Sequence, residues 1–258
     1  MSLSNIQWFP SEYQAAAIIA EEAGKDLLAR LSLMTVEPKV ILELGCGTGL
    51  LATELQKHYP EAKLLALDLS ADMLAVAKSH CPLAVQADAY RLPLRSLSVD
   101  MVVANFLLPW CEDRQAIFQE CRRVLRPGGV LIFTSLGPDT LREYREYLEG
   151  SSQPHFIDMH DLGDELVHLG FADPVLDVDY YTTVFKSEDK MLAELKATGL
   201  LSLTPQYLLP PIESQWSVTY EIIHGHSWVP VESYTYGAST DGVVSVPLSM
   251  LRRKLRTV

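Results

Sequence analysis

A glycine-rich turn near residue 45 constrains the fold of this 258-residue chain more than any other feature. In the segment VILELGCGTGLLATEL, residues 40–55, an apolar run typical of a buried strand leads into an amphipathic helical pattern. Glycines at positions 45, 47 and 49 allow a tight turn and let a ligand approach the backbone closely. A strand, a glycine turn and a helix in this order indicate a ligand-binding turn of an α/β sheet.

Two classes of ligand and a purely structural role are compatible with this turn. A dinucleotide fingerprint has the spacing G-x-G-x-x-G, whereas Gly45, Gly47 and Gly49 are spaced one residue closer. Glu43 lies just upstream, and its carboxylate would repel a pyrophosphate but attract a cationic ligand that carries an amino group. The pattern therefore favours a cationic ligand, while a tight turn without any ligand stays open as an alternative.

Strand-like and helix-like segments alternate along the chain. Residues 11–31 predict a single amphipathic helix. The predicted strands are KVILEL, AKLLALDL, PLAVQAD, VDMVVANFLL, VLIFTSL, PVLDVDYYTTVF and SVTYEIIHGHSW. Further helices are predicted near 49–58 and in SADMLAVAKSH, DRQAIFQECRRVL, PDTLREYREYLEG, DLGDELVHLGF and SEDKMLAELKATG. Ser70 and Asp113 can cap two of these helices, and RPGG at 126–129 predicts a turn.

This alternation predicts the fold class. Near-continuous apolar strands between helices are typical of a parallel sheet that helices cover on both faces. Right-handed crossovers then limit the topology to a doubly wound, Rossmann-like sheet. The length suits one domain of generous size, so we predict a single domain over residues 1–258.

Carboxylates follow the second and third predicted strands. Asp68 ends the second strand, where a carboxylate can accept both ribose hydroxyls of a nucleoside, although it could equally cap the next helix. Asp88 follows the third strand, where its side chain could accept from an adenine amino group, with the Ala89 N–H on the ring; a surface turn is the alternative. Together with Glu43, they place three carboxylates at the carboxyl ends of three strands, the edge at which open α/β sheets bind ligands.

Composition excludes several other functions. The formal net charge of −12 argues against nucleic acid as a partner, because phosphate binding needs a basic surface. Neither a long uncharged apolar stretch nor a secretory signal is present, so we expect no membrane span and a cytoplasmic location. The cysteines at 46, 81, 111 and 121 form no C-x-x-C pair, so we expect reduced thiols and no structural zinc.

The segments VILELGCGTG, LLALDLS, QADA, VDMVVANFLL and RVLRPGGVLIF together resemble the class I S-adenosylmethionine-dependent methyltransferases. The resemblance implies a seven-stranded sheet whose last strand is antiparallel, with S-adenosyl-L-methionine as cofactor. It divides the domain into an N-terminal helical lid (1–35), a cofactor-binding core (36–150) and a substrate side with the C-terminal strands (151–258). The implied cofactor residues are Glu43, Gly45, Cys46, Gly47 and Gly49 for the methionine part, Asp68 and Leu69 for the ribose, Met73, Asp88 and Ala89 for the adenine, and Asn105 beside the transferring methyl group.

Segments outside this core resemble the malonyl-acyl-carrier-protein O-methyltransferases of biotin synthesis. They are LPWCED, LGPDTLREYRE, the stretch from 154 to 182 and TYEIIHGHSWVP. The implied reaction is methyl transfer to the free carboxylate of a malonyl thioester, carried by acyl carrier protein or coenzyme A. The DTLREYR region also resembles a complex I assembly factor of the same fold. Two alternatives therefore stay open: an enzyme that acts on another acceptor, such as a protein side chain, and a non-catalytic accessory protein.

The candidate substrate residues follow from the chemistry of this acceptor. A carboxylate is ionised at neutral pH, so the reaction needs positioning in a dry pocket rather than a general base. Arginine is the usual partner of a carboxylate, and the predicted helix that carries Arg142 and Arg145 starts at the catalytic edge of the sheet. Alternatively, these two arginines are exposed and pair with neighbouring glutamates of the same helix. The other candidates are Trp110 and Trp228 as channel walls or core, Tyr13 in a lid or core, and His224 and His226 on one strand face. A metal would need a further ligand, so none is predicted.

Binding of an acidic carrier protein requires a basic surface. No lysine or arginine occurs between Lys196 and Arg252, where a longer basic segment is usual in the resembling family. Two basic clusters occur elsewhere, in residues 114–126 and 252–256, and either could dock the carrier or simply face solvent. We expect a monomer in which the tail cluster contributes to docking.

Overall fold

One seven-stranded sheet organises the chain, as seen in a computed structural model that describes residues 7–147, 154–201 and 216–231. The strand order is β3-β2-β1-β4-β5-β7-β6. The strands are β1 (Val40–Leu44), β2 (Lys63–Asp68), β3 (Ala84–Gln86), β4 (Val99–Ala104), β5 (Leu125–Leu136), β6 (Ala172–Phe185) and β7 (Trp216–Trp228). Neighbours among β1 to β5 pair in parallel, whereas β7 lies antiparallel to both β5 and β6.

Helices cover both faces of this sheet. They are α1 (Pro10–Ala16), α2 (Ile18–Ser32), α3 (Leu50–His58), α4 (Ala71–Ala77), α5 (Arg114–Val124), α6 (Met159–His168) and α7 (Glu188–Ala197). One core cluster packs the sheet against α5 and α6, and another packs it against α2, α3 and α4. The predicted fold class is thus confirmed, including the antiparallel last strand. No helix in the described residues is long and apolar enough to cross a membrane.

Both predicted helix caps are present. The Ser70 hydroxyl accepts from the Met73 N–H at 3.3 Å, and the Asp113 carboxylate accepts from the Ala116 N–H at 3.0 Å. Each side chain satisfies an amide that a helix start leaves without an intrahelical partner. These caps fix where α4 and α5 leave the ligand-binding edge of the sheet.

The prediction of one helix over residues 11–31 is wrong in one respect. The helix is interrupted at Ala17, where ψ of 30° takes the backbone out of the helical region. This break lets α1 pack against α7 and α4, while α2 runs along the sheet. No glycine or proline marks the break, so it follows from tertiary packing rather than from local propensity.

The prediction of a regular helix over residues 138–150 is also wrong for its described part, since only a short 3-10 helix forms there, Arg142–Tyr147. The preceding backbone is tied to β7 instead: the N–H groups of Gly137 and Leu141 donate to Glu221 and Thr219 carbonyls. Leu141 has a positive φ of 58°, which an α-helix excludes. Similarly, β5 begins five residues before the predicted strand and includes the RPGG segment expected to be a turn.

Candidate active site

A cavity of about 1060 Å³ lies at the edge where the parallel strands end. Leu44, Asp68 and Asn105, which end or follow β1, β2 and β4, contribute to its walls. The helices α1 and α2 and the end of α7 enclose it from the other side. A second cavity of about 1230 Å³ shares six wall residues with it, among them Tyr13, Gly45 and Gly47. The predicted ligand-binding edge is therefore a continuous pocket.

The glycine turn forms the floor between the two cavities. Gly45 and Gly47 have φ values of +67° and +54°, which residues with a Cβ adopt only with strain. A Cβ at Gly45 would lie 3.1 Å from Leu107 Cδ1. Cys46 is buried and lines the second cavity. Gly45 and Gly47 therefore present bare backbone to the pocket.

Gly49 has a different role from the one expected. It lines neither cavity, and it begins α3 with a φ of +83°. A Cβ there would meet Ala77 Cα at 3.1 Å and Ala77 Cβ at 3.2 Å. The absence of a side chain at Gly49 thus allows α3 and α4 to pack closely, which corrects its placement at the cofactor.

Glu43 is buried at the end of β1 and lines the second cavity. Its Oε2 atom has no hydrogen-bond partner among the described residues. Burial, and then the nearby Asp68 carboxylate, raise the pKa of Glu43 to about 8. A carboxylate held this way, without a cationic partner in the described part of the chain, is suited to bind a positively charged group of a ligand.

Asp68 is fixed in place by the backbone. Its Oδ2 accepts from the Gly47 N–H and its Oδ1 from the Ser70 N–H, both at 2.8 Å. Burial raises its pKa while these two bonds oppose that shift. Because Ser70 is the helix cap, the alternative of Asp68 as cap does not apply, and its carboxylate lies on the cavity wall.

The second ribose candidate, Leu69, and the three adenine candidates lie on the same wall. Met73 is buried and Leu69 is 39% exposed, and both line the first cavity. Asp88 and Ala89 also line it, with Asp88 accepting from the Tyr90 N–H at 2.9 Å. The four side chains predicted from three separate segments therefore converge next to Asp68.

Asn105 lines both cavities and is fixed from two sides. Its Nδ2 donates to the Ala20 carbonyl at 2.8 Å, and its Oδ1 accepts from the Thr134 hydroxyl at 2.6 Å. These bonds join the end of β4 to α2 and β5. Asn105 therefore holds the helix that closes the pocket in position over the sheet.

Aromatic side chains wall the far end of the first cavity. Trp8 packs edge-on against Tyr13 and Trp110, with ring centroids 5.7 and 6.0 Å apart. Trp110 is buried, and its Nε1 has no hydrogen-bond partner among the described residues. Burial and the Asp68 carboxylate raise the pKa of Tyr13 to about 12, so its hydroxyl stays protonated. This end of the pocket is thus apolar, with neutral N–H and O–H groups.

Several residues of this wall were not identified from the sequence. They are Trp8, Phe106, Leu136, Glu194, Thr198, Leu200 and Tyr220. Tyr220 lies in the segment TYEIIHGHSWVP, in which the sequence points to the histidines as substrate residues. Because β7 is antiparallel, the residues at its start, rather than the histidines near its end, reach the carboxyl edge of the sheet. The antiparallel last strand that the resemblance implies was the signal that could have identified Tyr220.

The predicted arginine anchors do not line either cavity. The Arg145 side chain is 60% exposed and donates to the Pro138 carbonyl at 2.7 Å and to Asp139 at 3.3 Å. Arg142 is exposed, with its guanidinium 6.0 Å from the centre of the Tyr180 ring. The loop that replaces the predicted helix turns both away from the pocket, which corrects their placement at the substrate site.

The predicted substrate residues of β7 also lie elsewhere. His224, His226 and Trp228 pair with Thr134, Ile132 and Val130 of β5, progressively further from its carboxyl end at Leu136. Trp228 packs against the core cluster of α2 and α3. The antiparallel direction of β7 carries these three side chains away from the pocket, so the structure corrects their placement as well.

The basic cluster at 114–126 is engaged in contacts within the protein. Its four arginines contact the chain as follows: Arg114 with Glu165, Arg122 with the Gly170 carbonyl, Arg123 with Glu120, and Arg126 with Asp100. These contacts hold α5 to α6 and to the sheet. The hypothesis that this cluster docks an acidic carrier therefore gains no support. The second cluster, residues 252–256, lies outside the described residues.

Comparison with known proteins agrees with this site. Residues 42–133, which include Glu43, Asp68, Asp88 and Asn105, match a family model described as a methyltransferase domain. The fold also resembles a SAM-dependent methyltransferase from Archaeoglobus fulgidus, with a TM-score of 0.53 and 16% identity over 80% of this chain and 94% of that one. Fold and site together define an S-adenosylmethionine-dependent methyltransferase.

More similar relatives define the family. A malonyl-acyl-carrier-protein O-methyltransferase from Gallionella capsiferriformans is 35% identical over 84% of this chain and 86% of its own length. One from Coxiella burnetii is 30% identical over 94% of this chain and 92% of its own length. The chain belongs to the family of malonyl-acyl-carrier-protein O-methyltransferases.

Proposed function

We propose that this protein methylates the free carboxylate of a malonyl group held as a thioester on acyl carrier protein, giving the methyl ester used in biotin (pimeloyl) synthesis. The observation that carries the proposal is the pocket itself. Three carboxylates lie at strand ends on one side, and an apolar aromatic chamber with neutral hydrogen-bond donors lies on the other. The relatives named for this reaction match most of the chain, and their names support malonyl-carrier as the acceptor.

The residues at the strand ends fit S-adenosylmethionine, which supplies a methyl group on a positively charged sulfur. The unpartnered Oε2 of Glu43 is the expected partner of its amino group. Asp68 is held by two backbone N–H groups in a position suited to ribose hydroxyls. Gly45 and Gly47 leave room beside the backbone, and Met73 offers an apolar surface for the base.

The chamber next to this site suits an ionised acceptor that needs no general base. Trp8, Phe106, Trp110 and Leu136 exclude water from its walls. Exclusion of water removes hydrogen bonds that would lower the nucleophilicity of a carboxylate oxygen. The chain's main contribution is then to hold the carboxylate oxygen in line with the methyl group.

Neutral donors are the groups that would orient the acceptor. Among the described residues, neither arginine nor lysine lines the first cavity. Within the part of the chain that the structure describes, the Trp110 indole N–H lacks a partner, and the Tyr13 hydroxyl is protonated. Neutral hydrogen bonds orient a carboxylate while leaving more of its charge on the attacking oxygen than an ion pair would.

Glu194 is an acidic group on the same side of the pocket, at the end formed by α7. It lines the cavity and accepts from the Tyr220 hydroxyl at 3.3 Å. Burial raises the pKa of Glu194. Glu194 therefore adds a hydrogen-bonded polar group to the wall that the acceptor would approach.

The test is to incubate the purified protein with isotopically labelled S-adenosylmethionine and, separately, malonyl-carrier, malonyl-coenzyme A and free malonate. Mass spectrometry that finds the label as a methyl ester on malonyl-carrier supports the proposal. Succinyl-carrier is the matched control, because it has a free carboxylate one methylene further from the thioester. Cofactor binding without transfer to any malonyl acceptor would reject the proposal and favour an accessory role or another acceptor.

A further inference from the structure

A buried histidine with unsatisfied ring nitrogens lies away from the active site. His224 is 2% exposed, and neither its Nδ1 nor its Nε2 has a hydrogen-bond partner among the described residues. A small cavity of about 280 Å³, lined also by His226 and Asp177, adjoins it. An imidazole without partners in a buried position costs free energy unless a ligand pairs with it.

Two carboxylates approach this histidine from different elements. Asp179 of β6 lies with Oδ2 at 3.6 Å from His224 Nε2, and Asp26 extends from α2. One ligand atom from each of Asp26, Asp179 and His224 can be chosen so that all three lie within 4.8 Å of one another. This spacing needs only small side-chain adjustments to surround one metal ion.

Each of the two carboxylates accepts a hydrogen bond from a neighbouring side chain. The Tyr181 hydroxyl donates to Asp26. Arg30 donates to Asp179 at 2.8 Å and to Asp177 through the same Nη2 atom. Metal-binding carboxylates in proteins are commonly held by outer hydrogen bonds of this kind. The cluster thus has an outer shell as well as three candidate ligands.

The charges of the cluster favour a divalent cation. The charged groups that face it are Asp26 and Arg30 from α2 and Asp177 and Asp179 from β6, so the carboxylates leave two negative charges uncompensated. His224 adds imidazole nitrogens that have no hydrogen-bond partner among the described residues, and imidazole is a common metal ligand. A divalent ion would neutralise the two negative charges and would also accept the lone pair of a His224 nitrogen.

We propose that Asp26, Asp179 and His224 form a binding site for a divalent transition metal of the zinc class. Imidazole and carboxylate ligands suit such ions, and three protein ligands leave a coordination position for water. The Asp179 side chain is 44% exposed, which gives the ion access from solvent.

The proposed ion joins α2 to the β6–β7 edge of the sheet. Its ligands come from α2, β6 and β7, and the preceding residues of α2, including Ala20 and Gly24, line the active-site cavities. Occupancy would therefore fasten the helix that closes the pocket. This role is structural and independent of the proposed acceptor.

The test is zinc binding by the whole protein after treatment with EDTA and dialysis. Isothermal titration calorimetry with ZnCl₂ is expected to give one site per chain, and the melting temperature is expected to rise by several degrees with zinc. Cobalt(II) should give the absorption bands of an ion bound by nitrogen and oxygen ligands. Tyr181→Phe is expected to weaken zinc binding by about 10-fold, because it removes an outer hydrogen bond.

His224→Gln and Asp179→Asn are each expected to abolish the site, whereas the exposed controls His80→Gln and Asp173→Asn leave it intact. Circular dichroism checks folding, and Asp179→Asn covers the case in which the buried His224→Gln variant fails to fold. Absence of saturable zinc binding in the wild-type protein would overturn the proposal. It would also be overturned if a folded His224→Gln or Asp179→Asn variant bound zinc with the stoichiometry and affinity of the wild-type protein. These readouts do not depend on methyl transfer.

Discussion

Three buried polar groups that have no hydrogen-bond partner among the described residues lie along the active-site pocket. Glu43 Oε2 and Thr48 Oγ1 face the second cavity, and Trp110 Nε1 lies at the first. Leaving one such group unpaired costs about 1–3 kcal/mol. Their position along one continuous pocket indicates that bound ligands supply the missing partners, and each group can be tested by a conservative substitution.

Glu43→Gln is expected to raise the Kd for S-adenosylhomocysteine by about 10- to 100-fold, because a hydrogen bond to a charged group contributes about 1.5–3 kcal/mol. Isothermal titration calorimetry measures this change. Glu61→Gln, on the exposed surface, is the matched control. An unchanged Kd in Glu43→Gln would show that Glu43 does not contact the cofactor.

Glu43 also predicts a pH dependence of stability. Its pKa is raised in the folded chain from 4.5 to about 8, so between these values the folded chain keeps a proton that the unfolded chain loses. The free energy of unfolding contributed by this group therefore falls as pH rises toward 8. Without ligand, Glu43→Gln should gain stability relative to wild type from pH 5 to pH 8 in urea unfolding. A constant difference would contradict the assignment.

Trp110→Phe removes the indole N–H while keeping an aromatic wall. We expect kcat/KM for malonyl-carrier to fall by about 10-fold, since about 1.4 kcal/mol corresponds to one hydrogen bond of ordinary strength. The Kd for the cofactor should change little. Trp228→Phe, in a core cluster away from the pocket, is the control. Equal losses in both variants would reveal a general packing defect.

At the scale of elements, close contacts between backbones place the site. The turn after β1 lets α3 pack against α4 at Gly49, and the break at Ala17 lets α1 reach over the pocket. The N–H groups of Gly137 and Leu141 tie the loop after β5 to β7. The pocket thus depends on how helices and loops meet the sheet edge.

Gly49→Ala is expected to destabilise the fold by about 1–3 kcal/mol, because it combines a positive φ with a contact of 3.1 Å to the Ala77 backbone. Urea unfolding measures the loss. Gly163→Ala, inside α6 with its nearest neighbour at 3.5 Å, is the control and should stabilise by about 0.4–1 kcal/mol. If Gly49→Ala were as stable as wild type, the close packing of α3 and α4 would not be required.

For the molecule as a whole, charge decides how an acidic carrier can bind. The net charge is −12, and the arginines of residues 114–126 are engaged in contacts within the protein. The residues 252–256 hold all the lysines and arginines that follow Lys196. Electrostatic attraction acts mainly on encounter and orientation of partners and weakens with salt. The tail cluster is therefore the main basic candidate for carrier binding.

Charge reversal of Arg252, Arg253 and Lys254 to glutamate is expected to raise KM for malonyl-carrier about 10-fold at low salt, and less at high salt. KM for malonyl-coenzyme A should change less, because it lacks the acidic protein surface. Reversal of Lys57, Lys63 and Lys78 is the control with equal net charge. An unchanged KM for malonyl-carrier in the tail variant would remove this cluster from the docking surface.

The sequence by itself determined the sheet, most of its helices and the side of the pocket formed by the strand ends. Short segments carry those features: apolar strands, the glycine turn, and Asp68 and Asp88 directly after strands, so local pattern and the parallel topology suffice to bring them to one edge. Because each of these residues lies at or just after the end of a parallel strand, the strand order brings them to one edge of the sheet. Glu43, Asp68 and Asn105 accordingly line the two connected cavities.

Only the tertiary structure decided the acceptor side and the metal cluster. Tyr220, Glu194 and Trp8 come from elements far apart in sequence, and the direction of β7 moved His224 and Trp228 away from the pocket. The helix break at Ala17 and the loop after β5 follow from packing against other elements. Contacts of this kind depend on long-range geometry, which neither periodicity nor residue type encodes locally.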